Sequence, residues 1–254
     1  MKNNKEYWIE RAKDKDKILE KSQKELEKEL KSIYKEILKE LKKELAYLKS
    51  TEEEELTEWQ EYRINESINS IENSLTNLAQ TEEELLTNGL TNTFKNSYEF
   101  EKVSLGANFS MPDDNLIKQL IKTNWSGLEF SERIWNRRDK LVAELKEVLK
   151  GGLIRGDSLQ DMSRLLADKL NKSYNNALVL VHTETCWIQS EATLKSYEEA
   201  GLEKYEFMAF LDERTTKECK SLDGKVFKLE EAVAGVNLPP LHCRCRSCII
   251  PVLD

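Results

Sequence analysis

The chain has 254 residues, enough for one large domain or two modest ones. Apolar residues make up 39% and charged residues 34%, which excludes a thick globular core and leaves two options, disorder or long amphipathic helices with narrow buried stripes. The net charge of −8 and pI of about 5.2 exclude a surface that coats nucleic acid as a whole, because that affinity comes mainly from neutralising phosphates. A local basic patch stays open.

The N-terminal residues Met1 to Glu6 are followed by no apolar signal-peptide core, and no stretch approaches the roughly 20 apolar residues of a membrane-spanning helix. The expected site of synthesis is therefore the cytosol, where five cysteines point to free thiols or a metal rather than disulfides. Four of the five, Cys219, Cys243, Cys245 and Cys248, lie in the last 36 residues. That clustering marks a separate module.

Leu, Glu and Lys dominate the first part of the chain and favour helix. Neither Gly nor Pro occurs before Gly89, so few turns are available there. A first helix is expected from about Lys5 to Lys49, with Leu19, Leu26, Leu30, Ile33, Ile37, Leu41, Leu45 and Leu48 on one face. This stripe suits packing on its own domain better than a coiled coil with a partner. Thr51 with Glu54, and Thr81 with Glu84, read as capping boxes. A second helix carrying Leu56, Trp59, Ile64, Ile68, Ile71, Leu75 and Leu78 and a third ending before Gly106 then follow. Residues 1–105 form a long-helix hairpin region on this reading.

Residues 106–200 read as a helical domain. Pro112 stands near the first position of a short helix that Trp125-Ser126-Gly127 breaks. Ser131 is the expected cap of a helix that Gly151-Gly152 ends. Gly156-Asp157-Ser158 turns and caps a helix over 159–170, and a last helix runs from about Tyr174 to Ala200, stopped by Gly201. Trp125, Phe130, Trp135 and Trp187 sit at helical spacing, where core packing is the default over a partner surface.

After Gly201 the pattern changes to a small α+β unit over 201–254. Tyr205 to Asp212 is aromatic-rich and partly alternates, Asp223-Gly224 is a hairpin-type turn, and Val226-Phe227 begins the return strand. Ile249 to Leu253 suits an edge strand, where Pro251 is tolerated. The expected fold is mainly α: long antiparallel helices followed by a small C-terminal α+β Cys/His module.

That module offers Cys219, His242, Cys243, Cys245 and Cys248 as soft ligands. Zinc takes four tetrahedral nitrogen and sulfur ligands, and a unit of about 50 residues is small for an unaided core. One reading is a structural zinc site using Cys219, His242, Cys245 and either Cys243 or Cys248. Thiols without metal, and a disulfide formed outside the cell, are the others.

Several stretches resemble the phage head morphogenesis proteins, the minor head (minor capsid) proteins similar to phage Mu protein F. They are Glu6 to Ala12, Trp125-Ser126-Gly127 with Phe130 to Trp135, and His182-Thr183-Glu184. To these are added Leu211-Asp212, Thr215, Cys219, Leu222 to Phe227, Pro239 to His242 and Cys245-Arg246-Ser247. His182 stands where the family usually has Arg, and Cys243 and Cys248 where it often has other residues. The shared ligand core implied is Cys219, His242 and Cys245, with Asp212 able to add a carboxylate.

The resemblance implies a low-copy virion protein, made in the host cytoplasm and located in the capsid interior or at the portal vertex. Its implied partners are the portal protein, the inner capsid or scaffold, and phage DNA. Its implied roles are head assembly and DNA ejection. Some such proteins carry fused toxin domains, and this chain's end after the signature is read as the absence of one.

The reading is therefore of a structural protein rather than an enzyme. His182 and Glu184 are two apart in a helix, so they face different ways and read as structural anchors between the last long helix and the C-terminal module. Asp212 is grouped with them. A metal-dependent nuclease or toxin-like enzyme built on His242, Asp212 and Asp223 is the rival, although a Cys-rich set is more typical of closed structural sites. Arg244 and Arg246 are candidate contacts to DNA or a partner, against the simpler reading that they pair with local carboxylates. A helical adaptor with no virion role is the third reading.

Overall fold

The computed structural model describes residues 5–50 and 58–253, with backbone alone for residues 58–61. The expected capping box at Thr51 and Glu54, Leu56 and the Trp59 side chain lie outside the described residues. In chain order the elements are α1 (Lys5–Lys49), α2 (Glu58–Leu105), α3 (Asp114–Ile121), α4 (Phe130–Arg155) and α5 (Leu159–Glu199). The strands β1 (Lys204–Met208), β2 (Val226–Lys228) and β3 (Cys248–Pro251) follow, with α6 (Lys217–Leu222) between β1 and β2. The protein is thus mainly α, with a small C-terminal α+β module, as its sequence implies. No described helix is long and apolar enough to cross a membrane.

Several helix ends differ from expectation. Thr81 opens no third helix, because α2 runs unbroken through it and its hydroxyl donates back to the Asn77 carbonyl at 2.8 Å. Leu75 and Leu78 before it, and Leu86 and Leu90 after it, are all buried, and that continuous stripe outweighs a local capping signal. Gly151-Gly152 does not end α4, which continues to Arg155 and stops at Gly156 with φ +68°. Gly152 serves close approach instead: a Cβ there would sit 2.8 Å from the Met162 methyl. The break expected after Leu170 is absent, since α5 is one helix of 41 residues. Its Ser173 is buried and lies 3.2 Å from the Tyr34 hydroxyl. Ser131 lies inside α4, donating to Glu83 at 2.6 Å, and the short α3 is capped by Asp113 rather than begun by Pro112.

Other boundaries agree. Gly106 and Gly201 follow α2 and α5 with φ +62° and +72°, a conformation open to glycine at no steric cost. Ser158 accepts from the Asp161 amide at 3.0 Å as the cap of α5.

The chain divides into two compact units, Met1–Leu26 with Leu86–Phe130 and Val179–Asp254, and Glu27–Leu85 with Ser131–Leu178. The described residues of the second unit are mainly helical. Within it α1 and α2 run antiparallel, as the contacts Tyr34 to Glu82 and Glu44 to Ser70 show. Its buried polar centre joins Tyr34, Glu82, Ser173 and Arg137, with the Arg137 guanidinium on the Glu82 carboxylate. Burial pushes the Glu82 carboxyl up, and the arginine opposes that rise.

The first unit holds the sheet, of order β2-β1-β3 and antiparallel throughout. Asp223-Gly224 makes no tight hairpin. The Gly224 amide donates to the Phe207 carbonyl at 2.9 Å, leading the chain from α6 into β2. Tyr205 and Phe207 alternate inward along β1, and Ile249 and Ile250 of β3 are buried with Trp8, Ala12, Tyr197 and Leu238. In this unit too α1 and α2 are antiparallel. Gly89 of α2 faces Leu26 so closely that a Cβ would meet its methyl at 2.5 Å.

One position of the α1 stripe is charged. Lys15 continues the buried series Trp8, Ala12 and Leu19, and its side chain and that of Glu101 are each 3% exposed. Lys15 Nζ donates to Glu101 at 2.5 Å, to Thr193 Oγ1 at 3.1 Å and to the Ile249 carbonyl at 3.4 Å. Removing one buried partner strands the other charge, so Lys15→Met should lower the unfolding free energy by about 3–5 kcal/mol. Lys15→Met combined with Glu101→Leu should recover most of that loss in urea denaturation. A single-variant loss below about 1 kcal/mol would show that the pair is not buried in solution.

Candidate metal centre

Cys219, His242 and Cys245 are brought together where three parts of the first unit meet. Thr216 caps α6 by accepting from the Cys219 amide at 3.3 Å, which fixes where Cys219 enters the core. The loop from Pro239 to Ser247 carries His242 and Cys245, and its Pro239–Pro240 bond is cis. Arg244 takes φ +57°, a turn that puts its own side chain outside and Cys245 inside. The third segment is α5.

Cys219, His242 and Cys245 form a group whose donor atoms all lie within 4.8 Å of one another. Cys219 Sγ is 3.2 Å from His242 Nε2 and 3.7 Å from Cys245 Sγ. In a tetrahedral zinc site two sulfurs stand about 3.8 Å apart and a sulfur and a nitrogen about 3.5 Å apart, so these spacings suit a shared metal. His242 Nδ1 is 2.9 Å from the Cys243 carbonyl. A carbonyl only accepts, so Nδ1 carries the proton and Nε2 presents its lone pair to the cysteines. The Cys/His cluster could hold a metal ion.

The other expected ligands stand apart from this group. Cys243 is exposed, while Cys248 lies in β3 opposite Met208 and is buried in the apolar cluster of Trp8 and Tyr197. Burial pushes the Cys248 thiol up to about 12. Asp212 accepts from Arg246 at 2.5 Å and from the Arg214 amide at 2.8 Å. The Arg246 guanidinium holds its carboxyl down to about 2. Asp223 accepts from the Ala209 amide at 2.9 Å, so it closes a turn. Arg246 is thus paired with a local carboxylate, whereas Arg244 is exposed.

Two residues of α5 that are not among the expected ligands or anchors meet this loop. Thr183 donates to the Val179 carbonyl at 2.7 Å and accepts from the Arg244 amide at 3.2 Å. Cys186 is 1% exposed, clusters with Cys219, Cys245 and Phe207, and has its sulfur 3.9 Å from the Ser247 carbonyl. Hydrogen bonding with Cys186 is the main cause that brings the Cys245 thiol down to about 5, and it drives the Cys186 thiol well up. Thr183 and Cys186 are three apart and so share a helix face, a spacing visible in the sequence. What hid them was their distance of about 60 residues from the cysteine cluster.

Glu184, on another face of α5, is 3% exposed and accepts from Trp125 Nε1 at 3.0 Å. Trp125 stacks on Trp187 with centroids 5.8 Å apart, so the Trp125-Ser126-Gly127 break is held against α5. His182 is partly buried, and its carbonyl accepts from Thr185 Oγ1 at 3.3 Å. In the other unit, Trp135 donates to Glu83 at 2.9 Å.

Residues 143–250 match the family described as "Phage Mu protein F like protein". Over these residues the chain is similar to that family, which supports the resemblance read from the sequence. A protein of Enterococcus faecalis named NAD(+)--arginine ADP-ribosyltransferase EFV is 29% identical over 163 residues, 57% of this chain and 33% of that protein. A Haemophilus influenzae protein named only "Uncharacterized protein" is 25% identical over 117 residues, 46% of this chain and 26% of its own length. The chain therefore spans about a third and about a quarter of these curated relatives. No solved structure matches it.

The Enterococcus relative corrects one expectation. The sequence holds only two histidines, and with the phage-head resemblance that favours a structural protein over an enzyme. A relative named as an enzyme removes the ground for that exclusion. A shortage of catalytic groups in one segment says nothing about a longer chain of which it forms a third. At 29% identity the likeness does not establish an activity for this chain either.

Helix α5 also makes the unit sensitive to pH. Burial pushes the Glu191 carboxyl up to about 7, with Trp187 opposing and Glu198 adding to the rise. A carboxyl raised on folding binds its proton more tightly in the native state. Its contribution is therefore full below the unfolded value near 4.5 and is lost as pH rises through about 7. Glu191→Gln should leave stability at pH 4 nearly unchanged and raise it at pH 8 by about 1–3 kcal/mol in denaturant titrations. Equal effects at both pH values would contradict this assignment.

Proposed function

We propose that the chain is a phage minor head (capsid) component, present in low copy, that assists head assembly, DNA ejection or both. The observation that carries this reading is the match of residues 143–250 to the Mu protein F-like family. It is supported by the way the signature residues Asp212, Thr215, Cys219, Asp223, His242 and Cys245 gather in one C-terminal module. The partners on this reading are the portal protein and the inner capsid or scaffold, with phage DNA as a further contact, and the location is the capsid interior or portal vertex. Exposed Arg244 is a contact residue in this scheme, and Arg246 contributes through its pair with Asp212. His182 and Glu184 serve as anchors on α5, Glu184 through Trp125.

The centre of Cys219, His242 and Cys245 binds zinc on this reading and staples the small C-terminal module. Metal binding would add folding free energy to a unit with few strands and a thin core. The zinc acts structurally there, so the module's shape, rather than a reaction, is what the metal supplies.

Quantitative mass spectrometry of purified capsids from the source phage or induced prophage tests the virion role. A few copies per particle, counted against the portal, are expected. Their absence from both procapsids and virions would sink the head-protein reading. Elemental analysis of the purified, reduced protein tests the metal. About one zinc per chain is expected, lost in His242→Ala, with a chelator lowering the melting temperature by several degrees. A zinc-free protein whose melting temperature ignores chelator would remove the metal from the proposal and leave the capsid test standing.

A further inference from the structure

We infer that Cys186 supplies the fourth ligand of the Cys219–His242–Cys245 centre, closing a site of three sulfurs and one nitrogen that fastens α5 to the C-terminal module. The inference rests on the reading of that cluster as a metal centre. Three donors are one short of the tetrahedral set that structural zinc takes, and a site left with three keeps a position open to water. The identity of the fourth donor therefore decides what kind of site this is.

The other donors expected from sequence stand outside this group. Cys243 is exposed, and its carbonyl is already bonded to His242 Nδ1. Cys248 is held in the β1–β3 ladder, buried among the apolar residues of the other cluster. Asp212 is ion-paired to Arg246 and closes the turn with Thr215 and the Arg214 amide.

Cys186 remains, and its surroundings suit a ligand. A buried free cysteine ordinarily packs as a small hydrophobe among carbon atoms. Here the buried cluster is Cys186, Phe207, Ala209, Cys219 and Cys245, so three of the chain's five cysteines share one small core. The Cys186 sulfur points toward the loop, 3.9 Å from the carbonyl of Ser247, two residues after Cys245. Thr183, one turn earlier on the same face, already holds the Arg244 amide at 3.2 Å. The helix face and the loop are thus in register before any metal arrives. Changing one χ1 rotamer carries a cysteine sulfur about 3 Å, so the Cys186 side chain can adjust toward Cys245 without a backbone shift.

Coordination takes the sulfurs as thiolates and releases their protons to solvent. The completed site joins α5, α6 and the loop before β3 through one ion. A closed set leaves no position for water or substrate, which makes the centre a staple.

X-ray absorption at the zinc edge of the zinc-loaded full chain reads the ligand set without any substitution. Three sulfur neighbours at about 2.3 Å and one nitrogen at about 2.0 Å are expected. Two sulfurs with two nitrogen or oxygen neighbours would overturn the assignment of Cys186 while leaving a metal centre in place. Cobalt substitution gives the residue-level answer. Cys186→Ser should lower the thiolate-to-cobalt charge-transfer absorption by about a third, whereas Cys243→Ser should leave it unchanged. Full intensity in a folded Cys186→Ser protein would also overturn the assignment. If that variant does not fold, the absorption spectrum of the unsubstituted chain decides. A chain that takes up neither zinc nor cobalt would overturn this inference together with the metal reading beneath it.

Discussion

A buried ion pair sets the register of the unit that carries the site. Lys15 stands in the apolar stripe of α1, with Trp8, Ala12 and Leu19 as its neighbours on that face. Its ammonium is satisfied by Glu101 of α2, Thr193 of α5 and the Ile249 carbonyl of β3. Four elements therefore meet at one charge. Sliding α1 by a turn would leave an ammonium and a carboxylate buried apart, which costs several kcal/mol. An apolar residue at this position would pack in more than one register. A charge with three directed contacts restricts the choice.

The placement of β3 has consequences for the loop that precedes it. With Ile249 fixed over Lys15 and Tyr197 beside it, the segment from Pro239 to Ser247 must return along α5. Thr183 and Cys186 meet it there, and Arg244 takes its left-handed conformation at the contact. The proximity of Cys219, His242 and Cys245 follows from capping on α6 and from this descent of the loop. The centre thus depends on the helical framework as much as on its own residues, and a metal there would reinforce an arrangement already made.

The comparisons and the geometry point to the same part of the chain. The Mu protein F-like match begins within α4 and ends within β3, so it takes in all of α5, nearly all of the sheet and the candidate centre. α1, α2 and α3 precede it. The Enterococcus relative shows that sequence of this kind occurs within a protein three times the matched length and named for an enzyme activity. Whatever that activity requires, the likeness alone does not bring it here.

The fold class was legible in the sequence because it rests on local rules. Leu, Glu and Lys without Gly or Pro dictate long helices, and the change to aromatic alternation after Gly201 marks the sheet. Gly106 and Gly201 could be read as stops because a left-handed residue acts within its own turn. Thr81, Gly152 and Ser131 could not be read correctly, since whether a cap or breaker acts depends on burial from elsewhere in the chain. At the centre, Cys219, His242 and Cys245 stood out by density in the sequence. The exclusion of Cys243, Cys248 and Asp212 from their group, and the approach of Cys186, were decided by tertiary structure alone. Periodicity and capping record the energetics of neighbours along the chain. Which sulfur faces which depends on loop closure across dozens of residues, and that leaves no local trace.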